Sequence, residues 1–563
     1  MRVLGLSAAH ADSAAVLAAA GRVVAAAQEE RFSRGKHDAA FPARAAAYCL
    51  EAAGPDGLAA VERVAVAGGG DPGDLTRHLK ALDPGFDPRR LYGPPLDLCH
   101  AAGGFLPSPF DEALVLVLDD GDGGITVAEG RGDALRILEH HPQPLGWLYA
   151  AVTAYLGFKP GSGEYKVMGL APYGEPRFAA LLREHLLHWR DDGLFTLAPA
   201  AIRPPFHHAA LAALLNGPPR PPEAPLSQRH MDVAASLQHV TEQTLLRLVR
   251  ALAARHPQRA LCLAGGMALN CVANGKLLAD GAFRRLWIQP AAGRAGAALG
   301  AALLEQPRPA PAADEDGMEG GYLGPSYEQP VIEAALRALG AVFTVLDEPA
   351  LLARAAADLA AGKALGWFQG RMEFGPRALG ARSILADPRH PAMQSRLNLK
   401  IKYRESFRPF APAVLAEEAA AWFDLPCPSP YMLLVAPLTP ARRRPLTARQ
   451  QAETGLARLA LPRSELPAVT HVDGSARVQT VDGRHAPRFR ALLEQFFRQT
   501  GCPVLVNTSF NVRGEPIVAT PDQAFACFMG TGLDALALGN CYLEKHRQPQ
   551  ALRHDASTAF PAD

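Results

Sequence analysis

Residues 112–128, EALVLVLDDGDGGITVA, hold the reading on which the fold turns. Ala113–Leu118 is an unbroken apolar run of the length and residue type of a buried strand. Asp119-Asp120-Gly121-Asp122-Gly123-Gly124 is a tight acidic turn, and Ile125–Ala128 is apolar again. The first thirty residues repeat the theme. Val3–Ser7 and Ala14–Ala18 predict two strands with Asp12-Ser13 at the tip of the first, and Gly21 turns the chain into Arg22–Ala27. Two hairpins with acidic tips, each followed by helical segments, predict an internally duplicated α/β domain. A polar tip between strands also suits phosphate, although any β-hairpin shares the pattern.

Further on, a helix is predicted through about Met231–His256, then a strand at Ala260–Leu263, then Gly265-Gly266 and another helix. Strand, Gly-Gly, helix places backbone N–H groups and a helix N-terminus where a phosphate fits; a tight turn without ligand reads the same way. Residues 306–325 are rich in Pro, Gly and acid and read as a linker. The division is therefore 1–305, linker, a second α/β region 326–545, and a loose tail 546–563. In the second region the predicted helices include Pro349–Ala361 and Pro487–Thr500. The predicted strands include Ala364–Phe368, Met432–Ala436 and Val504–Asn507, and 438–464 reads as a surface excursion.

Composition narrows the classes. At 563 residues with 48% hydrophobic and 20% charged, the chain fills two or more cores and is neither disordered nor fibrous. Lys+Arg 57 against Asp+Glu 56 leaves a formal charge of +1, which argues against a large nucleic-acid surface. Eight cysteines with no CxxC pair are no disulfide framework and point to a reduced, cytoplasmic setting. His10 and Asp12 interrupt the apolar start, so it does not read as a signal peptide. Runs such as Leu145–Phe158 fall short of the roughly 20 residues of a membrane span.

Chemistry concentrates in the second region. Residues 371–413 read RMEFGPRALGARSILADPRHPAMQSRLNLKIKYRESFRPFAPA. Arg371, Arg377, Arg382, Arg389, Arg396, Lys400, Lys402, Arg404 and Arg408 sit among Gly and Pro turns, not on one helix face. Guanidinium groups bind phosphate oxygens in pairs and lysine acts as a point charge, so the pattern suits polyphosphate. Phe374, Phe407, Pro409 and Phe410 interleave the charges like a pocket wall. Residues 501–516, GCPVLVNTSFNVRGEP, end an apolar strand in Asn507-Thr508-Ser509-Phe510-Asn511, a polar rim typical of ligand sites in α/β proteins. Residues 467–477, PAVTHVDGSAR, add His471, Asp473 and Arg477.

With SAAHADSAAVL (7–17), AAAQEERFSRGKHDAAFP (25–42), HAAGGFLPSPF (100–110), GEYKVMGLAPYG (163–174) and LAGGMALNCVANGKLLADG (263–281), these strings resemble the NodU/CmcH-type O-carbamoyltransferases, the family that includes the tobramycin carbamoyltransferase. The resemblance spans roughly 1–545. It implies an α/β protein with a Kae1-like domain of the actin/sugar-kinase/Hsp70 superfamily followed by a YrdC-like domain. The second domain is implied to form carbamoyl-adenylate from ATP and carbamoyl phosphate, and the first to transfer the carbamoyl group to a small-molecule hydroxyl of natural-product type. Lys402-Tyr403-Arg404 and Ser509-Phe510-Asn511 match the YrdC-like Lys-x-Arg and Ser-x-Asn pairs. The catalytic set implied is Arg377, Lys402, Arg404, Arg408 and Ser509. Asn507, Asn511 and Arg477 complete the nucleotide site, with Mg²⁺ accompanying ATP. In the first domain Gly265, Gly266 and Asn270 are implied to meet the nucleotide, and Asp12, Lys36, His37, Glu164 and Lys166 the intermediate or the acceptor. A homodimer is consistent with the family; neither membrane nor nucleic acid is implied as a partner.

The chain departs from the family at its metal. An Fe²⁺-type ion is implied to sit on an HxxxH pair and two aspartates. Here His100 and Asp119 remain, but Leu96 stands for the first histidine and Arg294, in Gln289-Pro-Ala-Ala-Gly-Arg294, for the second aspartate. A guanidinium beside a divalent ion is strongly unfavourable away from water, so Arg294 is expected to pair with Asp119 in the ion's place. Besides an active transferase, the sequence leaves open a carbamoyl-adenylate-forming enzyme whose first domain has lost or changed its transfer reaction, amine acceptors included. It also leaves open a non-catalytic pseudoenzyme. A tRNA-modifying role is disfavoured by the near-neutral charge.

Overall fold

The computed structural model describes residues 1–8, 11–198, 202–206, 208–310 and 315–561. The chain divides into two compact units, Met1–Glu319 and Gly320–Asp563. The division falls inside the stretch read as a linker, where Met318 and Leu323 are buried on either side of it. Residues 311–314 of that stretch and 562–563 of the tail lie outside the described residues. The rest of the tail holds two short 3-10 turns and a hydrogen bond from Ala556 N to Gly530 O of 3.1 Å.

Unit 1 contains two five-stranded sheets built to one plan. The first runs Arg22–Gln28, Ala14–Ala19, Arg2–Ser7, Arg63–Val66, Leu91–Tyr92; the second runs Ala134–His141, Ile125–Arg131, Glu112–Leu118, Ala260–Ala264, Arg285–Ile288. In each, an antiparallel three-strand meander is extended by two parallel strands. In each, the middle strand of the meander shifts register once against the third, at Leu17/Ala18 and at Val127/Ala128. The duplication anticipated from the two hairpins is thus present strand for strand. Leu114 through Leu118 are buried throughout, as a strand covered on both faces requires.

The last parallel strand of each sheet leads into a helix, Leu96–Phe105 and Arg294–Leu303. These two helices cross in backbone contact. A Cβ on Gly103 would run into the Gly296 carbonyl, and one on Gly300 into that of Cys99. The small residues of the GRAGAALGA run are therefore needed for close approach. The crossing sets His100, on the first helix, and Arg294, at the start of the second, at the end of the Glu112–Leu118 strand. The helix read at Met231–His256 spans Gln228–Arg255 and begins with a capping box between Ser227 and His230.

Unit 2 is organised on a nine-stranded mixed sheet in the order Thr344–Val345, Cys541–Glu544, Ala535–Leu538, Leu365–Phe368, Arg382–Ala386, Val504–Ser509, Ala411–Leu415, Ser475–Val481, Leu434–Pro437. Helices Glu348–Ala360 and Pro487–Thr500 pack together, as do Gln329–Ala338 and Pro521–Met529. The strand expected from Met432 begins at Leu434 because Met432 takes a left-handed φ of 57° that no strand admits. The excursion 438–464 is a chain of short helical turns tied back by a bridge between Arg443 and Ser464. Among the described residues no helix is long and apolar enough to cross a membrane. The eight cysteines are free.

Candidate functional site

In unit 2 the site grows from the ends of adjacent strands. Val504–Ser509 pairs with Arg382–Ala386 on one side and Ala411–Leu415 on the other, and delivers Asn507, Ser509 and Asn511 in succession. Lys402 follows the helix Met393–Lys400 and is buried. Its ammonium donates to Ser509 O at 2.5 Å, Ser509 Oγ at 3.1 Å, Asn511 O at 2.9 Å and Asn511 Oδ1 at 2.6 Å. All four acceptors are neutral. Burial pushes the Lys402 pKa well below the usual lysine range, and the charges of Arg404 and Arg408 push it the same way. Arg404 is fixed by Asn398 Oδ1 at 2.7 Å and lies 4.6 Å over the Phe410 ring. Arg408 stands 3.6 Å from Glu405.

Arg377 rides on the loop GPRALG, and that loop is pinned from beneath. The buried Glu373 carboxylate accepts N–H bonds from Leu379 and Ala381, both at 2.7 Å, and from Arg382 at 3.2 Å. Gln479 donates to Leu379 O at 2.7 Å, and Asn507 donates to Ala378 O at 3.2 Å and to Gln479 Oε1 at 2.6 Å. Asn507 therefore braces the loop that carries Arg377. Arg477 is half-buried on the neighbouring strand Ser475–Val481, opposite Val435.

Other cations of the same run serve as fasteners. Arg382 is fully buried, stacks 3.6 Å over the Phe368 ring and donates to the carbonyls of Gln369, Gly370 and Pro325. Arg371 holds Leu323 O at 2.6 Å, Arg389 pairs with Asp387 at 2.6 Å and Arg396 with Asp534 at 2.5 Å. Reading Arg and Lys among turns does not separate these from Arg377, Lys402, Arg404 and Arg408. Glu373 and Gln479 gave no sequence signal beyond an acid between Met372 and Phe374 and an amide in an apolar strand.

In unit 1 the acidic turn and the Gly-Gly turn interlock. Gly265 takes φ of 85°, and a Cβ there would strike the Leu118 carbonyl; one on Gly266 would overlap the Asp120 carboxylate. Asp120 is open to solvent at this junction yet closely surrounded by protein. That crowding, with the neighbouring Asp119 charge, pushes its carboxyl up to about 7. Asn270 caps the helix Cys271–Asp280 by accepting from Ala273 N at 3.1 Å, and its amide is bonded both ways to Gln238 at 3.1 Å. Asn270 thus shapes the turn, with its side chain committed to the protein.

Asp119 is buried and accepts from Gly123 N at 2.8 Å, and the Arg294 guanidinium lies 3.7 Å away. His100 is buried beside them with neither ring nitrogen bonded among the described residues. Burial drives its pKa down to about 4; the Arg294 charge acts in the same direction and Asp119 against it. A divalent ion does not fit this donor set. Leu96 offers no ligand atom, Arg294 supplies positive charge already, and no three metal-binding atoms converge here among the described residues.

On the first sheet, Asp12 Oδ1 meets His37 Nδ1 at 2.9 Å, and Glu30 is close to both. These three bring ligand atoms within 4.8 Å of one another. Both Glu30 oxygens are engaged, one by Arg31 at 2.6 Å and the other by His37 N at 2.8 Å, so the cluster is charge-balanced from within. Lys36 lies half-buried beside His37. Glu164 and Lys166 belong to the helix Glu164–Leu170. Lys166 is fully buried with its ammonium 5.7 Å from the Phe158 ring centre. Glu164 opens the helix, accepts from Gly161 N at 2.8 Å, and has its pKa raised by burial.

Comparison with known proteins agrees with this two-part construction. Residues 86–303 match the family described as carbamoyltransferase N-terminus, and residues 356–545 the one described as carbamoyltransferase C-terminus. The uncharacterized protein sll1178 of Synechocystis is 47% identical over 97% of both chains. The nodulation protein NolNO of Sinorhizobium fredii is 37% identical over 95% of this chain and 79% of its own. Among solved structures, the activator of the 2-hydroxyisocaproyl-CoA dehydratase from Clostridium difficile is similar over 54% of this chain and 93% of its own, at 14% identity and a TM-score of 0.32, a likeness too distant to carry an argument. The chain belongs to the carbamoyltransferase family. It is a transferase, and carbamoyl is the group it moves.

Proposed function

We propose that unit 2 makes carbamoyl-adenylate and unit 1 passes the carbamoyl group to a hydroxyl of a small natural-product-type molecule. ATP, carbamoyl phosphate and water would give carbamoyl-adenylate, phosphate and pyrophosphate; transfer would then release AMP. The observation that carries the reading is the meeting of Lys402 with Ser509 and Asn511, with Arg404 and Arg408 close by and Arg377 held on its braced loop. Lys402, Arg404 and Arg408 gather cationic side chains in one place, and a triphosphate is an anion that such a set suits. Arg377 and Arg408 would neutralise charge developing on phosphate oxygens, the usual task in adenylyl transfer. Mg²⁺ would travel with the nucleotide. In this reading unit 2 corresponds to the YrdC-like domain and unit 1 to the Kae1-like domain.

In unit 1, Arg294 would supply the positive charge that an iron ion supplies in the family pattern, and transfer would run without that metal. The same substitution favours a second reading, in which unit 1 has changed its reaction or its acceptor. The test is an account of products. Protein, ATP, Mg²⁺ and carbamoyl phosphate are incubated without acceptor and followed for pyrophosphate. Release supports adenylate formation; none from correctly folded protein rejects it.

A further inference from the structure

Two loops of unit 1 meet at Asp12 and His37. Ser13 N donates to Asp38 O at 2.9 Å, which ties the residues next to them together. His37 N donates to Glu30 Oε2 at 2.8 Å, and Glu30 is itself held by Arg31. Within that frame the His37 ring gives Nδ1 to Asp12 Oδ1 at 2.9 Å, while Nε2 has no partner among the described residues. A ring nitrogen sheltered from water without a partner is unfavourable. The side chain keeps 28% of its surface exposed, so a small movement of the ring brings Nε2 to a ligand hydroxyl that supplies the missing hydrogen bond.

We propose that His37 Nε2 is the general base of the transfer step and that Asp12 is the positioning residue that orients its ring. The inference rests on the carbamoyl-transfer reading. As the acceptor oxygen attacks the carbonyl carbon of the carbamic–phosphoric anhydride, its proton passes to Nε2 and the new carbon–oxygen bond forms. The carbon–oxygen bond to phosphate breaks, and AMP leaves with that electron pair. Asp12 keeps Nδ1 protonated beforehand and stabilises the imidazolium that results, as in other carboxylate–histidine pairs. The charged groups facing His37 are Asp12, Glu30, Lys36 and Glu164, with Arg31 acting on Asp12. Burial opposes protonation of His37, yet the Asp12 hydrogen bond and the charges of Asp12 and Glu30 leave its pKa above the ordinary 6.5.

The test combines a titration with a rate. In full-length protein carrying ¹⁵N-labelled histidine, assigned with H37Q, the His37 ring is expected to titrate above 6.5 and to carry its neutral-form proton on Nδ1. D12N is expected to move that titration down. A proton on Nε2, no response to D12N, or stoichiometric broadening of the ring signals by Mn²⁺ overturns the assignment. With water as the probe acceptor, AMP released per pyrophosphate formed should fall about 100-fold in H37Q, and the wild-type pH profile should rise through the measured His37 titration. An unchanged ratio overturns the inference. Wild type that forms no pyrophosphate rejects the proposed adenylate chemistry instead, and the titration and tautomer then decide the pair by themselves.

Discussion

Lys402 in unit 2 and Arg294 in unit 1 are both withdrawn from water, but their surroundings differ. Lys402 is caged by neutral oxygens of Ser509 and Asn511, next to two arginines. Arg294 has the Asp119 carboxylate at 3.7 Å. Lys402 is held by hydrogen bonds to neutral groups; Arg294 faces a carboxylate. The difference separates a cluster of cations suited to an anion from a guanidinium that faces a carboxylate of its own unit.

After removal of Lys402, the largest effect is expected at Arg377, carried on the braced loop. Arg377→Ala should lower pyrophosphate release by about 100-fold or more, as loss of a donor aimed at developing charge does. Its thermal midpoint should stay near wild type, since the side chain is half-exposed on a loop braced by Glu373. A fall in midpoint matching the fall in rate would make Arg377 a fastener like Arg382. Next, Arg294→Ala should destabilise unit 1 by about 3 kcal/mol, because it leaves Asp119 buried without its counter-charge. The double variant with Asp119→Ala should recover much of that loss in denaturant unfolding. Additive losses would show that the two groups do not sense each other.

Much of this arrangement was legible beforehand, and the limits have physical causes. The strand–acidic turn–strand at 112–128 and its echo at the N-terminus announced the duplication because buried strands leave unbroken apolar runs. Lys402, Ser509 and Asn511 stand out through their resemblance to the family's Lys-x-Arg and Ser-x-Asn pairs, and the structure joins them. What spacing does not encode is the partner of a side chain. Arg371, Arg382, Arg389 and Arg396 look like phosphate ligands until their carbonyl and carboxylate partners are seen. Glu373 is invisible for the complementary reason: its three partners are backbone N–H groups, which every residue but proline has. The Glu164–Leu170 helix leaves little trace in the sequence, because seven residues carry too little periodicity.

A smaller effect distinguishes the Asp12–His37 pair from Arg294 and Asp119 by pH. Burial raises the Asp12 pKa, but hydrogen bonding to His37 and nearby positive charge bring it below the ordinary 3.8; His37 lies above 6.5. Stability from Asp12 is present above 3.8 and lost as pH falls through its depressed value. Stability from His37 is present below 6.5 and lost as pH rises through its raised value. The difference in thermal midpoint between wild type and D12N should therefore be greatest between pH 3.8 and 6.5 and shrink on both sides. A flat difference would mean no ion pair. The smallest effect is at His100, whose ring nitrogens have no partner among the described residues. His100→Leu should be neutral or stabilising by about 1 kcal/mol and should leave pyrophosphate release by unit 2 unchanged.

The most direct measurement of the central claim is pyrophosphate formed by the wild-type chain from ATP, Mg²⁺ and carbamoyl phosphate, set beside the same assay of Lys402→Ala. The account predicts pyrophosphate that depends on both substrates and disappears in the variant. Pyrophosphate undiminished by loss of Lys402, or none from folded wild type, would contradict it.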